Sequence, residues 1–587
     1  MNSRYVIKVA GAAGQGVKTS GLVLSKALKR AGFCNFGYTE YPSLIRGGHN
    51  VFQIEISDKA INSITKTVDV LLVLNEESIG LHREELADGG IIVFDDGAFS
   101  INEEHAKHFQ EKKIQVIPVE LLKLAKESGG TALMKNTVSL GAIWKIFGLE
   151  ITILQDTVAG IFNKTEDMIK INRDAVRAGY DSLGDTDSYF EKTFTPKDEF
   201  NNHLIISGNE STALGAIAAG VRLYSSYPMT PASAILTYLA KEGTKLGMVV
   251  KQAEDEITAA NMVVGASFNG TRAMCGTSGG GFDLMQETFS LAGMTETPFV
   301  VVVGQRPGPG TGVPTWTAQG DLDVVVNAGH GEFPRIVLAP GDSTESFKLT
   351  LEAHNLAEKY QTPVVFLTDK YLAESFFCTP SFVLSDNKVD RGKLVTGADL
   401  SSMAKEERYK LTNDGVSQRW VPGDNANTFV GNSDEHTPKG YSTEIADEIQ
   451  PMFEKRMRKY STILSELPDP EVFGDQENPS ICIISWGSNK GVILDAMAEL
   501  EDGNTPDNRM VFVHYSYVWP IKPDTALEMM KKASHTLAIE NNYGGQFAGL
   551  FQKVTGVQIT DRLTKYDSRP FYLEDIVDYL TDIMSKK

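Results

Sequence analysis

The sequence predicts a multidomain α/β protein, and three observations carry that prediction. The chain has 587 residues, which at roughly 100–200 residues per domain suggests about three to five domains. Short apolar, β-branched runs alternate with helical patterns along most of it, as in layered folds with largely parallel sheets. The alternation lapses twice, over a polar, proline-containing stretch at 193–202 and over a longer one at 381–476. These breaks set expected α/β domains at 1–192, 203–380 and 477–587. Loops as long as 381–476 are uncommon inside compact domains, so this segment is expected to lie across another surface.

In the first block, an apolar strand at 5–10 runs into Gly11-Ala12-Ala13-Gly14-Gln15-Gly16, and a helical pattern follows with Val17, Leu22, Leu24, Ala27 and Leu28. Further strands are expected at 51–56, 68–74, 91–94 and 114–118. The second block opens with a strand at 204–207, then a helix reaching Leu223 that Asn209 or Ser211 could cap. The turn Tyr227-Pro228-Met229-Thr230-Pro231 comes next, then strands at 248–252 and 272–276 around a helix at 257–268. A Gly-rich stretch follows at 278–282. The run at 299–304 is almost all β-branched, which suits burial on both faces of a parallel sheet. Strands at 336–339 and 363–367 flank a helix at 344–360. Turn-forming clusters punctuate 381–476 (Asn413-Asp414-Gly415, Pro422-Gly423-Asp424-Asn425, Pro438-Lys439-Gly440), and a charged helix at 443–465 closes it. The last block has strands at 481–486, 510–514, 536–540 and 557–560.

Lys plus Arg number 56 against 76 Asp plus Glu, a net charge of −20. That balance argues against a nucleic-acid binder, which needs a basic footprint. No apolar run approaches the roughly 18 residues of a membrane span, and residues 1–10 lack the pattern of a signal peptide. Cys34, Cys275, Cys378 and Cys482 are scattered without a C-x-x-C. A disulfide framework, a cysteine zinc site or an iron–sulfur cluster within the chain is not expected, and the usage fits a reduced, cytoplasmic compartment.

Five motifs invite a chemical reading, each beside a plainer one. Gly11–Gly16 with Lys18 and Thr19 misses a Walker A loop by one inserted residue and fails G-x-G-x-x-G. A strand-to-helix turn able to bind an anion, or a tight turn without ligand, remains. Ser43, Arg46, Gly47 and Gly48 form a loop in which an arginine could hold a carboxylate or phosphate, or a simple turn before a strand. Thr230 presents a hydroxyl from a turn fixed by two prolines, unless Pro231 merely starts a helix. Glu254-Asp255-Glu256 begins the next helix, where the macrodipole alone could explain the charge; a buried carboxylate holding a heterocycle nitrogen is the functional reading. Arg306 ends the most hydrophobic strand, placed to grip a small carboxylate or to form a surface ion pair. Together, Thr230, Glu254, the 278–282 loop and Arg306 end four successive strands. In a parallel sheet those ends meet at one crevice, suited to an anionic small substrate and a nitrogenous cofactor.

These residues resemble the α subunit of the 2-oxoacid:ferredoxin oxidoreductases, in the form with the γ domain fused at the N-terminus and most like the 2-oxoglutarate type. The resemblance rests on Gly208-Asn209-Glu210, Tyr227–Pro231, Gln252–Glu256, the 291–298 stretch Leu-Ala-Gly-Met-Thr-Glu-Thr-Pro, Gln305–Gly312 and the 329–335 stretch Gly-His-Gly-Glu-Phe-Pro-Arg, with Gly11–Gly16 and Arg46–Gly48. It implies a γ-type N-terminal domain, a transketolase-like, pyrimidine-binding thiamine diphosphate domain and a transketolase C-terminal-like domain. It further implies coenzyme A-dependent oxidative decarboxylation of 2-oxoglutarate to succinyl-CoA and CO2 with reduction of ferredoxin, or the reverse. Glu254 matches the glutamate at the aminopyrimidine, with Tyr227 and Pro228 beside the cofactor. Thr230 and Arg306 match the substrate residues, and the Ser43–Gly48 loop is expected to face coenzyme A. The Gly-Asp-Gly signature for diphosphate and Mg2+ is missing from the sequence, as are cysteines for a [4Fe–4S] cluster. The resemblance places both on a β subunit, in an (αβ)2 assembly, with no metal held by this chain. Ferredoxins are acidic, so the negative charge also directs their docking to β. One departure is Ser278-Gly279-Gly280-Gly281, where the family pattern has a proline. A subunit for pyruvate or a branched-chain 2-oxoacid, a redox-free transketolase or decarboxylase, and a nucleotide-binding regulator built on Gly11–Gly16 are the alternatives.

Overall fold

A computed structural model describes residues 4–44, 47–163, 165–184, 195–383, 388–402, 407–423, 428–501 and 509–586. Arg46 and the Asp424-Asn425 turn lie outside the described residues. The described residues form three sheets flanked by helices.

The first sheet runs, in spatial order, Gln115–Val119, Leu86–Asp95, Val68–Val73, Arg4–Ala12, His49–Ser57, Cys34–Glu40, Phe376–Thr379 and Leu204–Ser207. Its first four strands are parallel and the rest antiparallel. A largely parallel sheet was expected. The difference arises because Cys34–Glu40 and His49–Ser57 are joined by a connection too short for a crossover, so they must pair antiparallel. The alternation of Cys34, Phe36 and Tyr38 was a readable strand signal, though every residue to Thr39 is buried on both faces.

The second sheet runs Tyr517–Trp519, Ile336–Leu338, Pro363–Asp369, Phe299–Gln305, Ala273–Thr277, Leu223–Ser226 and Val249–Gln252. All neighbours are parallel except the Tyr517–Trp519 edge. The helix expected to reach Leu223 is Gly208–Ala218, and Leu223–Ser226 is a strand. Gly220, at φ +76°, turns the chain between them. The cap is Ser207 in a capping box with Glu210, rather than Asn209 or Ser211. Asn209 instead faces inward, its Nδ2 donating to Pro231 O at 2.9 Å.

The third sheet is Glu471–Gly474, Met510–Tyr515, Ile481–Trp486, His535–Glu540 and Asp561–Thr564, its last strand later than the expected 557–560. The sheets do not respect the breaks read from sequence. Leu204–Ser207 and Phe376–Thr379 join the N-terminal sheet, and Tyr517–Trp519 joins the second.

The segment after Thr379 crosses the second domain and is pinned there by buried ion pairs. Glu358 receives Arg272 at 2.7 Å, Arg419 at 2.9 Å and Arg391 at 3.0 Å. Glu296 receives Lys455 and Lys459, each at 2.5 Å, from the helix Ala446–Glu466. Among the described residues no helix is long and apolar enough to cross a membrane.

Candidate active site

Four neighbouring parallel strands of the second sheet, Phe299–Gln305, Ala273–Thr277, Leu223–Ser226 and Val249–Gln252, deliver their carboxyl ends to one edge. Ligands of open α/β sheets bind at such an edge. The structure thus brings together Thr230, the Glu254–Glu256 turn, the Gly279–Asp283 helix and Arg306.

The turn after Leu223–Ser226 is tied down from both sides. Ser226 Oγ donates to Gly276 O at 2.6 Å, and Asn209 holds Pro231 O. Arg306 Nη1 donates to Thr230 O at 3.0 Å, so the expected substrate pair is in direct contact. Arg306 and Thr230 are half-buried, while Tyr227 and Pro228 are exposed.

The three acidic residues divide by position. Glu254 is exposed in the turn. Asp255 is the N-cap, its carboxylate accepting Thr258 N–H at 2.7 Å. Glu256, in the first helical turn, is 4% exposed, and its Oε1 has no hydrogen-bond partner. A side chain at Gly281 would meet Thr277 Oγ1 and lie 2.9 Å from Glu256 Oε1, so the glycine makes room for this carboxylate. Buried polar atoms are nearly always paired, and this carboxylate oxygen, at the strand-end crevice, is not.

Gly320-Asp321-Leu322 falls short of the Gly-Asp-Gly signature, and no other pattern in the sequence marks Asp321. In the structure its N–H donates to Gln305 Oε1 at 3.0 Å, and Oδ2 is buried without a partner. A Cβ on Gly279 would lie 2.5 Å from that oxygen. Burial pushes the Asp321 carboxyl up to about 6, Asp283 adds to this, and Arg306 opposes it. The C-terminal domain holds this loop. Gln319 Nε2 donates to Trp486 O at 3.2 Å, Asn542 Nδ2 to Gln319 O at 3.1 Å and Gln546 Nε2 to Gly320 O at 2.8 Å. The polar loop 540–546 also caps a helix, since Glu540 accepts the N–H groups of Phe547 and Ala548, each at 2.9 Å.

A separate cleft of about 310 Å³ opens between the N-terminal domain and the helix Lys370–Glu374, lined by Lys18, Tyr41, Pro42, Leu44, Gly47 and Glu374 among others. Gly48 O accepts Ala13 N–H at 2.8 Å, which joins the Gly-rich turn to the 43–48 loop. Ser43 lies on that loop between two lining residues. Gln305 is in register with Asp369, so Arg306 and Lys370 leave the sheet at the same edge. The cleft and the crevice therefore open from one side of the second sheet.

Among the described residues, one grouping of three side chains could hold a metal: Glu345, Glu471 and His514. Lys490 Nζ already occupies its centre, bound to Glu345, to Glu471 at 2.9 Å and to Asp342 at 3.3 Å.

Residues 214–386 match the family model described as pyruvate flavodoxin/ferredoxin oxidoreductase, thiamine diP-bdg, and residues 6–182 match pyruvate ferredoxin/flavodoxin oxidoreductase. The 2-oxoacid:ferredoxin oxidoreductase subunit alpha of Sulfolobus sp. is 33% identical, over 98% of this chain and 96% of that one. This chain belongs to the 2-oxoacid:ferredoxin oxidoreductase α subunits. The α subunit is also 27% identical to the 2-oxoglutarate oxidoreductase subunit KorA of Mycobacterium tuberculosis, over 97% of this chain and 90% of that one. Its fold matches, at a TM-score of 0.91 and 29% identity over 100% of both chains, the 2-oxoglutarate:ferredoxin oxidoreductase from Magnetococcus marinus solved with 2-oxoglutarate, coenzyme A and succinyl-CoA bound. The resemblance read from the sequence thus holds along the whole α subunit.

Proposed function

We propose that this α subunit serves the coenzyme A-dependent oxidative decarboxylation of 2-oxoglutarate to succinyl-CoA and CO2, with ferredoxin as electron acceptor, or the reverse reaction. The observation that carries the reading is the strand-end crevice, where the orphaned Glu256 carboxylate lies at the same sheet edge as the Arg306–Thr230 pair. The Magnetococcus marinus relative, with its bound ligands, supports the choice of substrate.

Bound thiamine diphosphate would supply an acidic C–H and a ring that accepts the electron pair released with CO2. The crevice fits its aminopyrimidine end, because Glu256 offers a desolvated, unpartnered oxygen to a ring nitrogen. The role belongs to Glu256 rather than Glu254, whose exposed position cannot exclude water from such a bond. Glu256 then holds a proton at Oε1 and exchanges it with that nitrogen. Tyr227 and Pro228 face the cofactor from the turn. Arg306, braced on Thr230 O, takes the substrate carboxylate through its planar fork. The diphosphate and Mg2+ site and the [4Fe–4S] cluster belong to a β subunit in an (αβ)2 assembly, on which ferredoxin docks. Coenzyme A enters by the cleft at Ser43, Gly47 and Gly48; Arg46, outside the described residues, completes that loop. In this reading 1–192 is the γ-type domain, 203–380 the pyrimidine-binding domain, 381–476 the wrapping segment and 477–587 the transketolase C-terminal-like domain, in a cytoplasmic enzyme.

The test is to co-purify the chain with its β partner and follow ferredoxin or viologen reduction across a panel of 2-oxoacids. Highest kcat/KM on 2-oxoglutarate supports the proposal, and preference for pyruvate or a branched-chain acid overturns the substrate. Arg306→Ala in this assembly is expected to cost about 2–5 kcal/mol of transition-state binding, a fall in kcat/KM of roughly 30-fold to several thousand-fold.

Asp321 gives the crevice a pH dependence. Above its pKa of about 6 its charge competes with the substrate carboxylate for Arg306. If binding requires the neutral acid, substrate affinity is full below that pH and falls by up to about tenfold per pH unit above it. The rise of KM with pH should vanish in Asp321→Asn; an unchanged slope would assign the titration elsewhere.

A further inference from the structure

Arg306 and Asp321 stand at the two ends of one loop. Its outer part, Gly308–Val313, is exposed and rich in glycine and proline, with Val313 N–H closing it onto Pro307 O at 3.1 Å. Such a segment has little packing of its own to oppose chain entropy. From Thr315 the chain turns inward, and Thr315, Thr317 and Gln319 are 5%, 2% and 1% exposed. Thr317 Oγ1 accepts Tyr371 N–H at 3.1 Å. On the intervening residue, the Arg569 guanidinium from the C-terminal domain lies 3.2 Å from the centre of the Trp316 ring.

Gln319 makes five hydrogen bonds to four residues, all of the C-terminal domain. Its Nε2 donates to Trp486 O at 3.2 Å, and its Oε1 accepts Asn489 Nδ2 at 2.9 Å and Asn541 N–H at 3.1 Å. Its backbone N–H donates to Asn541 O at 2.7 Å, and its carbonyl accepts Asn542 Nδ2 at 3.1 Å. Two residues further on, Asp321 N–H donates to Gln305 Oε1, and Gln305 immediately precedes Arg306. The path from the C-terminal domain to the arginine is therefore Gln319, Asp321, Gln305, Arg306. We propose that Gln319 is a positioning residue for substrate binding, through which the C-terminal domain fixes Arg306 and Asp321 in the crevice without itself touching substrate. The proposal rests on the reading of Arg306 as the partner of the substrate carboxylate.

The amide suits this task because it is neutral, buried and satisfied at both ends. A satisfied buried network holds one geometry, and removing one member leaves the others unpaired at a cost. A charge or an apolar group at 319 could not serve the donor Asn489 and the acceptor Trp486 O together. Precise placement matters at Arg306, since a planar fork grips a carboxylate only when both are aligned.

The test is Gln319→Ala in the enzyme assembled with its β partner. KM for 2-oxoglutarate should rise by about tenfold to a hundredfold, the effect of moving a binding group by an ångström, while KM for coenzyme A stays as in the unaltered enzyme. The pH profile separates positioning from simple domain adhesion. Burial, aided by Asp283 and opposed by Arg306, holds the Asp321 carboxyl up at about 6. Water admitted by a loosened loop would return it toward roughly 3.9. The rise of KM with pH would then shift to lower pH, leaving KM high and flat through neutrality. In the full chain without ligand, hydrogen exchange over 306–321 should quicken by about tenfold or more. Asn489→Ala, a milder loosening of the same joint, should show the same changes at smaller size and serves if Gln319→Ala fails to assemble. A Gln319→Ala enzyme that assembles with an unchanged 2-oxoglutarate KM and pH profile overturns the proposal, as does a variant that loses thermal stability alone. Arg306→Ala, assayed alongside, tells the two readings apart. Loss there beside a silent Gln319→Ala sinks only the positioning role, whereas a silent Arg306→Ala takes down the crevice assignment as well.

Discussion

Glu256→Gln in the assembled enzyme is expected to lower kcat by about 10²–10⁴-fold while leaving the fold unchanged. The substitution keeps shape and volume but removes the oxygen that can hold a proton, at a position 4% exposed with an unpartnered Oε1. Proton exchange at the thiazolium C2 of bound cofactor, followed by NMR, should slow in parallel. Glu254→Gln is the matched control. Its side chain is exposed, and turnover should be close to that of the unaltered enzyme. If Glu254→Gln instead abolished C2 exchange and Glu256→Gln did not, the assignment would revert to the residue that sequence matching first suggested.

Glu296→Ala should be the most damaging substitution for stability, at about 3–5 kcal/mol. It would leave Lys455 and Lys459, whose side chains are 0% and 2% exposed, facing each other without a counter-charge. Burial pushes the Glu296 carboxyl up, but Lys455, Lys459 and Arg408 outweigh it and hold the group well below the usual carboxylate range. The sign follows: the stabilisation is complete above the unfolded pKa of roughly 4.3 and is lost as pH falls toward the folded value. Denaturant unfolding of the full chain should show the loss at neutral pH. The helix Ala446–Glu466 should be released first, seen as faster hydrogen exchange there. An unfolding midpoint matching the unaltered protein would show that this ion cluster does not anchor the wrapping segment.

The motifs that place the chain in its family were legible because each needs particular residues close together in sequence. Thr230 lies between two prolines, and Arg306 ends a β-branched strand before a Pro/Gly loop. Spacing alone could not choose among Glu254, Asp255 and Glu256. The helix begins at Glu256, so Asp255 becomes the cap and Glu254 is left outside. That choice depends on where the first helical N–H groups fall, a shift of one or two residues that a composition pattern does not resolve.

The sequence by itself determined the fold class, the order of most strands, the family and the four strand ends that make the crevice. These depend on local periodicity and on residues that turn, bind or break the chain where they stand. Only the tertiary structure decided the mixed pairing of the N-terminal sheet and the exchange of strands between domains. It alone buried Glu256 while leaving Glu254 exposed, and tied Asp321 to Gln305 next to Arg306. Each of these joins groups distant in sequence or fixes a side chain's burial. Hydrogen-bond pairing between strands and desolvation are properties of the assembled neighbours, and one segment's pattern does not encode them.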